Sequence, residues 1–243
     1  MRQPSPRPDQ TLSPESGAAI IVGASGGIGA ALALALEARG QKTVHRLART
    51  SPIVCDITDP ASISVALAAV LDGPPVTRVL IATGLLHDGD RGPEKALRQL
   101  DADWLARSFS INSIGPALFL AQILPQLPRD RRVEVAVLGA RVGSISDNRL
   151  GGWYAYRASK AALHQIVRTA AIEWARSHPM AVLVVLHPGT VATPLSAPFA
   201  RKGDGRTLLT PADSARHLLD VLGGLGPQQS GRIFDWQGLE IQP

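Results

Sequence analysis

Tyr156 and Lys160 stand four residues apart, a spacing that puts a phenol and an ammonium on one face of a helix, one turn from each other. A free phenol ionises near pH 10, and a neighbouring positive charge favours its phenolate. Such a pair can pass a proton to or from a substrate oxygen. More than 120 residues earlier, the apolar run Ala18–Val22 ends in Gly23-Ala24-Ser25-Gly26-Gly27-Ile28-Gly29, and an Ala/Leu-rich segment follows. A strand, a glycine-rich turn and then a helix suit a dinucleotide. The glycines let the chain turn tightly, and a pyrophosphate meets main-chain N–H groups at the positive end of the helix. Alone the turn is a weak signal, because 23 glycines are spread through the chain. Together the two features point to a nucleotide-dependent enzyme that moves protons through a phenol.

Short apolar runs alternate with helical patterns from Ala18 onward. Expected strands cover Ala18–Val22, Thr43–Leu47, Val79–Ala82, Val133–Leu138, Ala181–Leu186 and a short stretch near Arg232–Asp235. Expected helices cover Ile28–Arg39, Ser62–Leu71, Asp103–Gln126, Tyr156–Ser177 and Pro211–Leu222. Near-continuous apolar strands between helices indicate a parallel sheet covered on both faces. Right-handed crossovers then give an α/β, Rossmann-type doubly wound sheet in one domain, 18–243, with the site at the carboxyl ends of the strands. Residues 1–17 hold four prolines and no apolar periodicity, and are expected to form a disordered tail. They lack the apolar stretch a signal peptide needs.

Of the 243 residues, 45% are hydrophobic and only 4% aromatic, so the core must be built from Ala, Leu, Val and Ile. No apolar run approaches the ~20 residues of a membrane span, so no membrane partner is expected. The single cysteine, Cys55, cannot form an internal disulfide; it reads as an inert buried thiol and suggests a reducing, cytoplasmic compartment. The net charge of +5 is spread along the chain, with Arg129, Arg131 and Arg132 the densest cluster. It reads as a solvated surface and not as a nucleic-acid site. His164, His178 and His217 lack metal-ligand spacing, and no metal is expected.

Taken in order, these residues resemble the short-chain dehydrogenase/reductase family from Ala18 to the end. Gly23-x-x-x-Gly27-x-Gly29 matches the family's glycine spacing and Tyr156-x-x-x-Lys160 its catalytic pair. His187-Pro188-Gly189-Thr190-Val191-Ala192-Thr193 is similar to its PG loop, and Asn112 matches its helix asparagine. The strings GLLHDGD (84–90) and GSISDNRLGGWYAYRASKAAL (143–163) are closer still to the C-factor and carbonyl-reductase-like branch. The resemblance implies an oxidoreductase that moves hydride between a nicotinamide cofactor and a small carbonyl or alcohol. Tyr156 would be its general acid/base. Lys160 would lower the tyrosine's pKa and hold the nicotinamide ribose. Asn112 would hold a water that links Lys160 to solvent. Cofactor contacts would come from Gly23, Ser25, Gly27, Ile28 and Gly29, from Asp56 and Ile57 on the adenine side, and from Thr83 and Gly84. Pro188, Gly189, Val191 and Thr193 would meet the nicotinamide. A homo-oligomer, dimer or tetramer, would pair through Asp103–Gln126 and Tyr156–Ser177.

Two departures from the family pattern bear on the chemistry. Its catalytic serine position is Ala140, in Gly139-Ala140-Arg141-Val142-Gly143, and the nearest hydroxyl is Ser144, which could reach the substrate if the loop dips inward. Where the family reads Asn-Asn-Ala-Gly, this chain has Ile81-Ala82-Thr83-Gly84, with Thr83 a partial replacement for the lost amide. Cofactor choice is read after the second strand. No acidic residue lies between Glu37 and Asp56, while Arg49 stands where a guanidinium would meet a 2′-phosphate. NADP(H) is therefore favoured over NAD(H), with Arg46 as an alternative surface residue. Trp153, Tyr154, Leu195, Pro198 and Phe199 are candidate pocket residues, and Ser196–Thr207, with Lys202, Gly203 and Gly205, a candidate lid. A second reading is a cofactor-binding signalling or regulatory protein with little turnover.

Overall fold

The computed structural model describes residues 17–89, 91–199 and 207–243; the expected tail up to residue 16 and the lid residues Lys202, Gly203 and Gly205 lie outside them. The elements run β1 (Ala18–Val22), α1 (Gly27–Ala38), β2 (Thr43–Ala48), β3 (Ile53–Val54), α2 (Pro60–Leu71) and β4 (Val76–Ile81). They continue with α3 (Ala102–Phe109), α4 (Gly115–Ile123), β5 (Glu134–Leu138), α5 (Tyr154–Trp174), β6 (Val182–His187), β7 (Thr190–Val191), β8 (Leu208–Leu209), α6 (Pro211–Gly224) and β9 (Ile233–Asp235). Seven strands form one sheet in the order β3-β2-β1-β4-β5-β6-β9, every neighbour parallel. The chain moves outward from β1 in one direction, then crosses back to β4, so a crevice opens at the carboxyl ends of β1 and β4.

Successive strand residues point to opposite faces, which is why the central strands are apolar at every position. Ile20 and Val22 pack with Phe119 of α4 and Leu163 of α5 on one face. Ile21 packs with Leu32 and Leu36 of α1 and Leu218 of α6 on the other. Cys55 is buried as expected, and burial beside Asp56 pushes its thiol up to about 11, so it is not a thiolate at neutral pH.

Several elements differ from the sequence expectation. β4 begins at Val76, before the charged Arg78, because Arg78 is buried in an ion pair with Glu134 at 2.7 Å, and Arg132 reaches the same carboxylate at 2.8 Å. The short β3 and the parallel pair β7–β8 were not expected at all. The expected helix Asp103–Gln126 is broken into α3, a π-helical turn over Ser110–Ile114, and α4. Pro116 explains the break. It has no N–H to return to the Asn112 carbonyl, so the ladder widens and Gly115 N–H donates to Ser110 instead. Among the described residues no helix is long and apolar enough to cross a membrane, and no cluster of His, Cys, Asp and Glu could hold a metal ion.

Candidate active site

A cavity of about 600 Å³ opens at the carboxyl ends of the strands. Ile28 of α1, Ala140 beyond β5, Tyr156 of α5 and His187, at the end of β6, line it together with Pro188, Gly189, Val191 and Thr193. Trp153, Leu150, Leu195 and Phe199 add an apolar wall. Tyr154 and Pro198, expected beside them, do not line it.

The glycine turn is shaped by close approaches. Gly23 has φ +81°, a conformation that favours glycine. A Cβ at Gly29 would lie 2.2 Å from the Gly23 carbonyl oxygen, so α1 can begin here only without a side chain. A Cβ at Gly27 would lie 2.9 Å from Thr193 Cγ2, which shows the PG loop folded over the turn. Gly26 caps α1 with no side-chain acceptor, and Ser25 is exposed on the turn. Thr83 does not take over the lost hydrogen bonds: its Oγ1 is buried without a partner, beside the turn. An uncapped helix end, glycines that no side chain could replace and an orphaned hydroxyl fit a dinucleotide lying along this edge.

Helix α5 carries Tyr156 and Lys160, and its start is anchored from far upstream by a residue sequence reasoning missed. Gly151, Gly152 and Trp153 all have left-handed backbone, with Trp153 at φ 54°. Trp153 N–H donates to the Glu94 carbonyl at 2.5 Å, and Ala155 N–H donates to Glu94 Oε2 at 3.2 Å. Glu94 thus places a carboxylate at the positive end of the helix that presents Tyr156. The paired glycines before Trp153 are the only local signal of that turn.

Tyr156 and Lys160 share the expected face, with Lys160 Nζ 6.0 Å from the tyrosine ring centroid. The expected lowering of the phenol pKa by Lys160 is not what dominates. Burial pushes Tyr156 up to about 12 and Lys160 down to about 8. The ammonium stands off the ring and donates to the Leu138 carbonyl at 2.8 Å, so desolvation outweighs its field. Tyr156 is a protonated phenol at neutral pH.

Asn112 is fully buried and clasps the loop after β4. Its Oδ1 accepts from Leu85 N–H at 2.8 Å and its Nδ2 donates to the Leu85 carbonyl at 2.9 Å. A Cβ on Gly84 would lie 3.7 Å from Asn112 Oδ1 and 3.9 Å from Lys160 Nζ, ordinary contact distances, so Gly84 stands beside both groups. The side chain of Asn112 is therefore committed, while its main-chain carbonyl is the one Pro116 releases.

Ser144 is where the sequence expectation fails. It is buried, its Oγ accepts from Asp147 N–H at 3.1 Å, and it does not line the cavity. The short 3-10 turn Arg141–Gly143 turns the chain away, so the wall at this point is the methyl group of Ala140.

His164, one turn beyond Lys160, fills the space below. A Cβ at Gly139 would lie 2.8 Å from its Nε2, and one at Gly143 would lie 2.7 Å from its Cε1. Neither ring nitrogen has a partner, and burial, then the charges of Lys160 and His187, push it down to about 4. The unfolded chain takes up a proton at His164 near pH 6.5, whereas the folded chain resists until about pH 4. Stability is therefore full above pH 6.5 and is lost as pH falls towards 4, by on the order of 3 kcal/mol for this group. Urea unfolding at pH 7 and pH 4.5 should show the drop. His164→Asn should roughly halve it, because His187 titrates in the same window.

The residues expected on the adenine side lie outside the cavity. Arg46 is tied to Glu37 of α1 at 2.8 Å, as a surface residue. Arg49 is exposed in the turn after β2 and makes no hydrogen bond among the described residues. Asp56 Oδ1 accepts from Thr58 Oγ1 at 2.7 Å and from Thr58 N–H at 2.9 Å, which hold its carboxyl below the usual range. The helix cap is left to Asp59, whose Oδ1 accepts from Ala61 N–H. Ile57 is buried, and its carbonyl lies 2.8 Å from where a Cβ on Gly115 would stand.

Comparison with known proteins agrees with this geometry. The chain is 42% identical over 146 residues to the C-signal of Myxococcus xanthus, covering 60% of this chain and 82% of that protein. It is 30% identical over 235 residues to the 1-hydroxy-2-glutathionyl-2-methyl-3-butene dehydrogenase of Rhodococcus sp. (strain AD45), covering 92% of this chain and 98% of that one. A protein of Burkholderia multivorans solved with bound NADP superposes with a TM-score of 0.78 at 27% identity, covering 94% of this chain and 100% of the other. The family described as short chain dehydrogenase matches residues 17–203. A match across more than half of the sequence, joined to the fold, is decisive: the chain belongs to the short-chain dehydrogenase family of oxidoreductases.

Proposed function

We propose that this chain is an NADP(H)-dependent oxidoreductase that interconverts a small carbonyl compound and its alcohol. The observation that carries the reading is that Tyr156 meets Ile28 of the glycine turn and Thr193 of the PG loop in one cavity, with Lys160 a turn behind it. When bound there, a nicotinamide dinucleotide supplies the hydride. Tyr156, held as a phenol, gives its proton to the carbonyl oxygen in reduction and takes one back in oxidation. Lys160 holds the ribose and returns protons towards Tyr156. Asn112 holds the relaying water on its main-chain carbonyl, since its amide is committed to Leu85. Gly23, Ser25, Gly27, Gly29, Thr83 and Gly84 take the phosphates and adenosine, and Asp56 and Ile57 flank the adenine. Pro188, Gly189, Val191 and Thr193 take the nicotinamide. The wall of Leu150, Trp153, Leu195 and Phe199 suits an apolar or aromatic substrate.

Arg49 supports the choice of NADP(H), because its guanidinium is exposed and makes no hydrogen bond among the described residues, whereas Arg46 is tied to Glu37. Arg49→Asp should shift the ratio of kcat/KM for NADPH over NADH by about 10–100-fold towards NADH, since it removes a charged contact and adds a repulsive carboxylate. Steady-state rates with both cofactors check it, and an unchanged ratio would assign the 2′-phosphate to another residue. A homo-oligomer in the cytoplasm is part of the same proposal; the exposed Ile114 and Ile172 on the two segments expected to pair support it.

A second reading, a cofactor-binding signalling protein, is favoured by the 42% identity to C-signal and by the methyl group at Ala140. The two separate on one substitution: an enzyme loses its cellular role in Tyr156→Phe, and a cofactor-bound signal keeps it.

A further inference from the structure

We propose that His187 makes the hydrogen bond to the substrate carbonyl oxygen that Ala140 cannot, so that Tyr156 and His187 hold that oxygen between them. This rests on the reading of the site as a carbonyl–alcohol oxidoreductase. Beyond the end of β5, Ala140 offers the cavity only a methyl group. The hydroxyls nearest in sequence are committed elsewhere, Ser144 to Asp147 N–H at 3.1 Å and Ser146 to the Pro243 carbonyl at 2.6 Å. The neighbouring strand ends beside this gap. Leu138 pairs with Leu186, and Gly139 N–H donates to the Leu186 carbonyl at 2.9 Å. His187 therefore leaves the sheet next to Gly139-Ala140, and it lines the cavity that Tyr156 lines. Its Nδ1 is buried without a partner, which leaves Nε2 as the ring nitrogen for the cavity.

The ring's surroundings keep it uncharged. Burial and the Arg141 guanidinium disfavour a charged imidazole, His164 is near enough to feel its charge, and Asp235, its register partner on β9, pulls the other way. The balance holds His187 at about 4, so at neutral pH it is uncharged and carries one N–H. Of the three guanidinium groups that line the cavity, those of Arg141 and Arg157 are engaged, and the third belongs to Arg149. Arg141 is paired with Asp235 at 2.8 Å, and Arg157 donates to the carbonyls of Gly152, Val142 and Gly151. As the carbonyl carbon accepts hydride, the C=O electron pair moves to oxygen and takes the Tyr156 proton. His187 keeps its own proton and only stabilises the developing charge.

The test measures NADPH-dependent reduction of acetophenone by the full chain, with NADPH affinity and melting temperature recorded for each variant. His187→Leu should lower kcat by about 10²–10³-fold, the scale of one lost oxyanion donor, with NADPH affinity unchanged. His187→Gln, which restores an N–H, should recover at least about tenfold of that loss. Ala140→Ser placed in the His187→Leu background should recover a similar share, which a merely structural histidine would not allow. A His187→Leu chain that is folded and within threefold of the parent rate overturns the proposal, as does a loss that neither His187→Gln nor the added Ala140→Ser recovers. Loss of activity in Tyr156→Phe with none in His187→Leu overturns this inference alone. A parent chain that binds NADPH and reduces none of a panel of aldehydes and ketones overturns the functional reading as well.

Discussion

Tyr156→Phe is expected to cut carbonyl reduction by about 10²–10⁴-fold while NADPH affinity stays within a factor of about three. The substitution removes one oxygen from a half-buried ring at the cavity and leaves its packing against Trp153, 6.3 Å between centroids, in place. The glycine turn, Thr83 and Arg49 are untouched, so the groups proposed to hold the dinucleotide remain. The lost hydroxyl is the only one on this helix that both faces the cavity and stays protonated at neutral pH. Rates with NADPH and a panel of aldehydes, ketones and quinones, alongside a fluorescence titration of NADPH, give both quantities. Equal loss of affinity and rate would mean that Tyr156 binds cofactor and does no proton work. Unchanged turnover would assign the proton to another group and remove the central support for the proposed function.

Gly29→Ala is expected to abolish NADPH binding and to lower stability by about 1–3 kcal/mol. Its Cβ would stand 2.2 Å from the Gly23 carbonyl oxygen and 2.9 Å from the Gly23 carbonyl carbon, contacts that only a backbone shift can relieve. That shift must open the turn between β1 and α1, because Gly26 N–H already bonds the same Gly23 carbonyl at 3.0 Å. The pyrophosphate would then lose the N–H groups at the start of α1. Gly40→Ala is a fitting control, since nothing lies within 4 Å of a Cβ there and only its left-handed φ is strained. NADPH titration and urea unfolding of both variants check the expectation. A Gly29→Ala chain that binds NADPH normally would show that the dinucleotide does not use this turn.

Much of the fold was legible because local patterns carry long-range consequences. Ala18–Val22 is apolar at every position, which only a strand covered on both faces requires, and it became β1 with its residues divided between two cores. The glycine turn and the Tyr156–Lys160 spacing were legible for a similar reason, since each is satisfied within a few residues. Arg78 hid the start of β4 because its partner Glu134 is 56 residues away, and a lone arginine in a sequence gives no sign that it is neutralised. The π-helical turn left a trace in Pro116, yet its purpose is apparent only once Asn112 meets Leu85. Ser144 was the nearest hydroxyl along the chain, but the 3-10 turn before it aims it at Asp147, and sequence distance does not report direction.

The sequence by itself determined the sheet, the glycine turn between β1 and α1 and the helix face that bears the phenol. These follow from side-chain alternation, from the space a missing Cβ leaves and from helical period, all properties of neighbouring residues. Tertiary structure alone decided the electrostatic state of the site. It raises the pKa of Tyr156, lowers that of Lys160, places Glu94 at the start of α5, and brings His187 to the cavity wall. Desolvation depends on what distant segments pack around a group, and no spacing along the chain encodes it.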